Sequence, residues 1–149
     1  MPEYRYAVGR ITESAVFITR EMKEFEEDYS SVTWEQYQQD FKKQKLVDRT
    51  VENILNALIE ISGAILAEEG KVAESYAETL RQTAQMFGLQ NQEASHLAKL
   101  ASQRNRLVHR YLDMKWQAIT AYKEQVKNIH HLLTAILDRE SKKAAKEKK

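Results

Sequence analysis

The chain contains no cysteine and little proline or glycine. Among its 149 residues there is one Pro and there are four Gly. The lack of cysteine excludes disulfide bonds, thiolate zinc sites and cysteine nucleophiles, and a reducing compartment such as the cytoplasm is expected. The scarcity of Pro and Gly disfavours a turn-rich β fold. The residues that are abundant, namely Ala, Leu, Glu, Gln, Lys and Arg, favour long helices.

Long apolar runs and a strong charge of one sign are missing as well. No stretch reaches the roughly 18 uncharged apolar residues of a membrane span, and the N-terminus has no apolar signal-peptide core. We therefore expect neither a membrane anchor nor a secretion signal. The formal net charge is +1, so the overall charge does not indicate a nucleic-acid binder. Basic residues are enriched only locally, in segments 103–115 and 139–149.

Apolar residues recur at steps of three and four along most of the chain, which is the spacing of one helix face. Four long stripes and one short stripe predict an all-α, antiparallel bundle of about five helices. We expect a single helical domain over residues 1–138 and a basic, disordered tail over residues 139–149. The five stripes begin at Ile11, Val47, Leu80, Leu97 and Ile119.

Short polar motifs indicate where these helices begin and end. Thr33–Gln36 and Ser75–Glu78 have the spacing of capping boxes. Gly70 and Gly88 follow the second and third helices, where a residue in the left-handed conformation commonly ends a helix. Asp113 is the candidate end of the fourth helix and the candidate N-cap of the fifth.

A cation and a phenol interrupt the apolar stripe of the fourth helix. Arg104 stands where the pattern calls for leucine, and Tyr111 lies seven residues further along, on the same face. A buried guanidinium must be paired, because arginine does not lose its proton. A carboxylate, backbone carbonyls, a second subunit or a phosphate ligand could pair it. The alternative is a structural arginine whose stem packs while its head reaches solvent.

His109 is a nearby group that could transfer protons, but its spacing from Arg104 is unfavourable on one straight helix. Five residues correspond to about 140° of rotation and roughly 7.5 Å of rise. Either the helix unwinds near Asp113, which would let His109 turn toward Arg104, or two chains build one site across a two-fold axis. A further alternative is a surface or structural histidine without a chemical role.

No metal site is expected from the sequence. His130 and His131 are adjacent on the fifth helix, so their side chains diverge by about 100°. No HExxH spacing or cluster of His and carboxylates occurs. Trp34, Trp116 and the tyrosines are expected to be packing residues and not platforms on which RNA bases stack.

The run RNRLVHRY at Arg104–Tyr111 resembles the signature of the HEPN superfamily. More narrowly, it resembles the HepT-like toxins, in which Arg, four residues, His, one residue and Tyr follow one another. The surroundings are similar too, from VENILNALIEISGAILAEEG in the second helix to SYAETLRQTAQMFGL in the third. The resemblance implies a metal-independent endoribonuclease that needs no cofactor, acts on RNA and not on DNA, and forms a homodimer through the motif helix.

The resemblance also implies roles for individual residues. Arg104 and His109 would be catalytic: Arg104 would stabilise the charged phosphate, and His109 would move protons while the RNA 2′-OH attacks it. Asn105, Arg106 and Arg110 would support them by contacting RNA.

Tyr111 would be the residue through which the toxin is silenced. In the family, a nucleotidyltransferase antitoxin of the MntA type attaches AMP to this hydroxyl, which would place bulk and negative charge over a basic cleft. Three departures from the family pattern are visible. Ser102 and Gln103 stand where a Gly-Leu or similar pair often precedes the Arg-Asn. Arg110 replaces a residue that is often acidic or small, and Glu60 holds the place of an Asp in the second helix.

Two other functions fit the same residues. The chain could be a non-catalytic, substrate-binding partner of a minimal nucleotidyltransferase. It could also be a structural helical bundle, which predicts a monomer whose Arg104 is paired within its own chain.

Overall fold

The computed structural model describes residues 10–147, with side chains as far as Lys146, and this range is helical along most of its length and contains no strand. The all-α class predicted from the sequence is therefore confirmed. The helices are α1 (Ile11–Glu24), which continues as a π-helical turn (Phe25–Tyr29), α2 (Trp34–Gln39), α3 (Phe41–Glu68), α4 (Tyr76–Met86), α5 (Asn91–Ala98), α6 (Leu100–Arg106), α7 (Leu112–Glu124) and α8 (Val126–Glu147).

The central helix of the bundle is α3. It packs against α1 and α4 along much of its length, and α6 and α7 contact it as well. Ile54, Leu58 and Ile61 have no exposed surface, and each stabilises the fold by about 1.5–3 kcal/mol. By length and composition alone α3 could span a membrane, but 67% of its apolar window is buried in the structure. Its apolar character is thus accounted for by its place in the core.

The helix-end motifs predicted from the sequence are largely confirmed. Thr33–Gln36 forms both hydrogen bonds of a capping box, and Ser75 Oγ accepts a hydrogen bond from the backbone N–H of Glu78. Gly70 and Gly88 follow α3 and α4 with φ angles of 69° and 91°, a conformation that favours glycine. Asp113 does not cap α7, because α7 begins one residue earlier, with Tyr111 at the N-cap position.

The last two predicted helices are each divided, so the expected number of five is not confirmed. The fourth separates into α5 and α6 at Lys99, and the fifth separates into α7 and α8 at Gln125. At both points the backbone forms tight hydrogen bonds to the third preceding residue: Lys99 N–H donates to His96 O (3.2 Å), and Gln125 N–H donates to Tyr122 O (2.9 Å). These local turns interrupt helices that the apolar spacing alone predicts to be continuous.

The basic C-terminal segment continues α8 as far as Glu147, in place of the disordered tail expected from the sequence. Arg139 donates hydrogen bonds to Glu68 (3.1 Å) and Glu69 (2.9 Å) at the end of α3, and Lys143 Nζ lies 2.7 Å from Glu68. Burial raises the pKa of Glu68, but the hydrogen bonds from Lys143 and Arg139 outweigh burial and hold that pKa below its usual value. Ion pairs with α3, which the composition of the tail does not reveal, thus stabilise this part of α8.

The lowered pKa of Glu68 predicts that the end of α8 loosens in acid. A carboxylate with a depressed pKa in the folded state stabilises the fold above its unfolded pKa, and this stabilisation is lost as the pH falls through the folded value. We expect the protection of residues 141–146 from amide hydrogen exchange to fall as acid protonates Glu68 in the wild type, and to be reduced already at neutral pH in Arg139→Ala. Lys142→Ala is the control, because Lys142 forms only an exposed pair with Asp138. Equal exchange in the two variants would contradict the prediction.

Candidate functional site

The motif residues lie at the end of α6 and in the loop that leads into α7. Leu100 and Ala101 at the start of α6 are buried, and so is Leu107, the residue that directly follows the end of the helix. Leu107 N–H donates to Arg104 O and His109 N–H donates to Arg106 O, both at 3.2 Å, and these bonds close the turn. Buried leucines thus fix both ends of a short helix from which the loop projects.

The helix ends at Arg106, earlier than the predicted unwinding near Asp113. Arg104 therefore lies on α6, whereas His109 and Tyr111 lie in the loop. The prediction that Arg104 and Tyr111 share one face of a continuous helix is wrong. The helix ends early because Leu107 inserts into the core, and the chain then turns away before it completes another helical turn.

Arg104 is a half-buried residue, and its guanidinium has no carboxylate partner among residues 10–147. Its Cζ lies 4.9 Å from the centroid of the Tyr76 ring, at the start of α4. A long hydrogen bond of 3.5 Å to Asn105 Oδ1 is its other contact. Within the described chain, the internal ion pair that the structural-bundle alternative predicts is therefore not found, and the charge of Arg104 is not neutralised.

His109, Arg110 and Tyr111 form an exposed loop beside α6. Tyr111 keeps 57% of its surface, and its ring lies 6.0 Å from the guanidinium carbon of Arg110. Val108, in the same loop, is 71% exposed. The loop therefore presents an imidazole, a guanidinium and a phenol to solvent, next to an apolar side chain.

The side chain of Arg106 lies on a different side of α6 from that of Arg104. Two residues apart on a helix, the two side chains point about 200° apart. Arg104 lies over Tyr76 of α4, whereas the guanidinium of Arg106 donates a hydrogen bond to Gln117 of α7. Of the three residues predicted to support catalysis, Asn105 contacts Arg104, Arg110 lies in the loop, and Arg106 lies on the other side of α6.

A buried acid anchors the helix that follows the loop, and the sequence analysis did not single it out. Asp48 of α3 accepts a hydrogen bond from Tyr37 (2.5 Å) and forms an ion pair with Lys115 in α7 (3.2 Å). Burial and the hydrogen bond to Asp48 raise the pKa of Tyr37 well above its usual value. Glu60, the acid singled out in the sequence, is exposed. The position of Asp48 seven residues before Leu55, on the apolar side of α3, was the available signal.

Trp34 and Trp116 pack around this buried pair, as the sequence predicted. Their ring centroids lie 5.8 Å apart, and Trp116 lies 5.1 Å from the ring of Tyr37. Aromatic packing and the ion pair of Asp48 together hold α2, α3 and the start of α7 in contact. This arrangement fixes the base of the loop that carries His109.

Asp48→Ala should destabilise the fold by about 2–4 kcal/mol, because it leaves the Tyr37 hydroxyl and the Lys115 ammonium without their partner. Urea unfolding followed by circular dichroism measures the change. Asp138→Ala is the matched control, since Asp138 pairs with Lys142 in solvent and should cost about 0.5 kcal/mol or less. A similar loss of stability in both variants would contradict a structural role for Asp48.

No group of three or more His, Asp and Glu side chains among residues 10–147 is arranged to hold a metal ion. His131 instead contacts the backbone oxygen of Phe87, at 3.3 Å. The residues of the motif loop offer nitrogen donors and a phenol, which suit an anion better than a cation.

These features define an all-helical protein with an unneutralised arginine on a short helix and an exposed histidine and tyrosine in the loop that follows. The family model described as "Ribonuclease HepT-like" matches residues 18–136, a range that extends from α1 into α8 and includes the whole motif. The chain belongs to the HepT-like ribonuclease family, as its motif predicted, and ribonuclease activity in general follows from that membership. A search of curated proteins finds no match to the chain.

Proposed function

We propose that the chain is a metal-independent endoribonuclease that acts in the cytoplasm as the toxin of a toxin–antitoxin pair. The observation that carries the proposal is the guanidinium of Arg104, which has no carboxylate partner among residues 10–147, followed in the chain by an exposed loop with His109 and Tyr111. The chain also belongs to the HepT-like family. A positive charge that no carboxylate of the described residues neutralises is suited to an anionic ligand, and the phosphodiester of RNA is such a ligand.

The 2′-OH of RNA is itself the nucleophile, so the protein has to supply only proton transfer and stabilisation of the negative charge on the phosphate. The 2′-oxygen forms a bond to the adjacent phosphorus while the bond from phosphorus to the 5′-oxygen breaks, which leaves a 2′,3′-cyclic phosphate and a 5′-hydroxyl. His109 moves the proton between attacking oxygen, leaving oxygen and solvent. Arg104 binds two non-bridging oxygens and stabilises the negative charge that builds up on them. Neither step requires a metal ion.

Incubation of the purified protein with total RNA in EDTA tests the activity. Cleavage products that end in a 2′,3′-cyclic phosphate are the expected result, together with growth arrest when this chain is expressed alone. RNA that stays intact in EDTA but is cut when Mg²⁺ is added would overturn the metal-independent chemistry. RNA that stays intact under both conditions would overturn the enzyme proposal.

The proposed active species is a homodimer in which two motif loops face one cleft. Arg104 lies on α6 and His109 projects from the loop after it, so a second chain can supply the complementary residue. Support comes from Val108, whose exposed apolar side chain would be covered by a facing loop.

Val108→Asp should convert the dimer to a monomer at micromolar concentration and lower RNA cleavage, because it places a charge in the proposed contact. Light scattering coupled to size exclusion measures the mass. Val16→Asp is the control, since Val16 is also an exposed valine but lies on α1. A wild-type protein that is strictly monomeric and still cleaves RNA would refute the shared cleft.

A second candidate function is a non-catalytic, substrate-binding partner of a minimal nucleotidyltransferase. The exposure of Tyr111 favours it equally, because an accessible hydroxyl can be modified in an inactive protein as well. The two functions differ in one result: only the toxin arrests growth and cuts RNA in the absence of the other protein.

A further inference from the structure

Tyr76 is an aromatic residue of the site that the sequence pattern does not connect with the motif. It stands at the first position of α4, and the packing of α4 on α6 brings its ring to the guanidinium of Arg104. The sequence predicted that the tyrosines are packing residues, and Tyr76 keeps 36% of its surface. Its ring therefore lies between the core and solvent, at the place where Arg104 emerges.

We infer that Tyr76 is the positioning residue that orients the guanidinium of Arg104 toward the phosphate of RNA; the inference rests on the proposed ribonuclease function. The ring and the guanidinium carbon are 4.9 Å apart, within the range of a cation–π contact. Such a contact with a neutral ring leaves the positive charge of the guanidinium in place. A carboxylate in the same place would occupy two donors and neutralise the charge.

The contact with Tyr76 lowers the entropy cost of binding phosphate through Arg104. The side chain of arginine is long and flexible, and ordering it when the phosphate binds costs conformational entropy. A ring that already holds the guanidinium in position removes part of that cost. Negative charge on the phosphate oxygens increases in the transition state, so a preoriented Arg104 stabilises the transition state more than the bound substrate. Loss of the ring should therefore lower kcat more than it raises KM.

Tyr76→Leu should lower kcat for RNA cleavage by about 3- to 10-fold, with KM changed by less than about twofold. Tyr76→Phe keeps the ring and should restore at least half of the wild-type rate, because the hydroxyl has no part in the contact. Phe41→Leu is the matched control: Phe41 is an exposed ring with Lys45 Nζ 4.7 Å from its centroid, at the start of α3, and its loss should leave cleavage unchanged.

A double-mutant cycle tests whether Tyr76 acts through Arg104. In an Arg104→Ala background there is no guanidinium for the ring to hold, so Tyr76→Leu should lower the residual kcat by less than about twofold. An equal fold-loss in both backgrounds would overturn the inference, because Tyr76 would then act on the fold or on another residue.

A nuclear magnetic resonance measurement gives a readout that does not depend on activity. The Tyr76 ring should shift the side-chain Nε–H signal of Arg104, and this shift should disappear in Tyr76→Leu and persist in Tyr76→Phe. A signal unchanged in Tyr76→Leu would overturn the inference.

If the wild type cleaves no RNA, the proposed function fails and the inference fails with it. If the wild type cleaves RNA and Tyr76→Leu cleaves equally fast, the inference alone fails.

Discussion

Arg104→Ala and His109→Ala should each reduce RNA cleavage by about 10²- to 10⁴-fold, the largest effects expected from single substitutions in this chain. Removing His109 leaves the 2′-oxygen and the leaving oxygen without the group that would accept and donate their protons. Removing Arg104 leaves the developing charge on the phosphate without its cation. Arg104→Lys should be intermediate, because lysine keeps the charge and loses the two-donor geometry.

The controls for these variants remove the same chemical groups elsewhere on the surface. Arg20 is exposed on α1 and His96 is exposed on α5, so Arg20→Ala and His96→Ala should change cleavage by less than about twofold. The rates are measured in EDTA on one RNA substrate, at protein concentrations where light scattering gives the same mass for every variant. Unchanged cleavage in both Arg104→Ala and His109→Ala would refute the assigned site.

The parts of the fold that the sequence predicted depend on local spacing. The apolar stripe of α3 repeats every three to four residues, and a helix with that spacing buries one face wherever it packs. Gly70 and Gly88 end helices because their left-handed conformation favours a residue without a side chain, which is a property of a few neighbouring residues. Such signals need no knowledge of the partner helix.

The parts that the sequence did not predict depend on contacts between distant segments. The early end of α6 follows from the burial of Leu107, and a helical tail follows from the ion pairs of Arg139 with α3. In the site, Tyr76 meets Arg104 only because α4 packs on α6, and Asp48 meets Lys115 only because α3 packs on α7. The motif therefore identified the family, whereas the contacts of Arg104 with Tyr76 and of Lys115 with Asp48 emerged only from the packing.

Co-expression with a nucleotidyltransferase of the MntA type should add one or more AMP units to the chain and abolish RNA cleavage. Tyr111 is the expected acceptor, because 57% of its surface is exposed, whereas Tyr37 and Tyr122 are buried in the core. The added phosphate would lie near the guanidinium of Arg110, whose Cζ is 6.0 Å from the Tyr111 ring. A neutralised cation and a bulky nucleotide at the loop would both hinder RNA from reaching Arg104.

Intact-mass measurement of wild type, Tyr111→Phe and Tyr76→Phe distinguishes the possible acceptors. The added mass of AMP should disappear in Tyr111→Phe and remain in Tyr76→Phe. Tyr76 serves as the control because it is a second exposed tyrosine near the site. Tyr111→Phe should also stay toxic in the presence of the partner, since phenylalanine has no oxygen to receive AMP. An increment that persists in Tyr111→Phe would assign the modification to another residue. A modified protein that still cuts RNA at the wild-type rate would separate the modification from inhibition and favour the substrate-binding alternative.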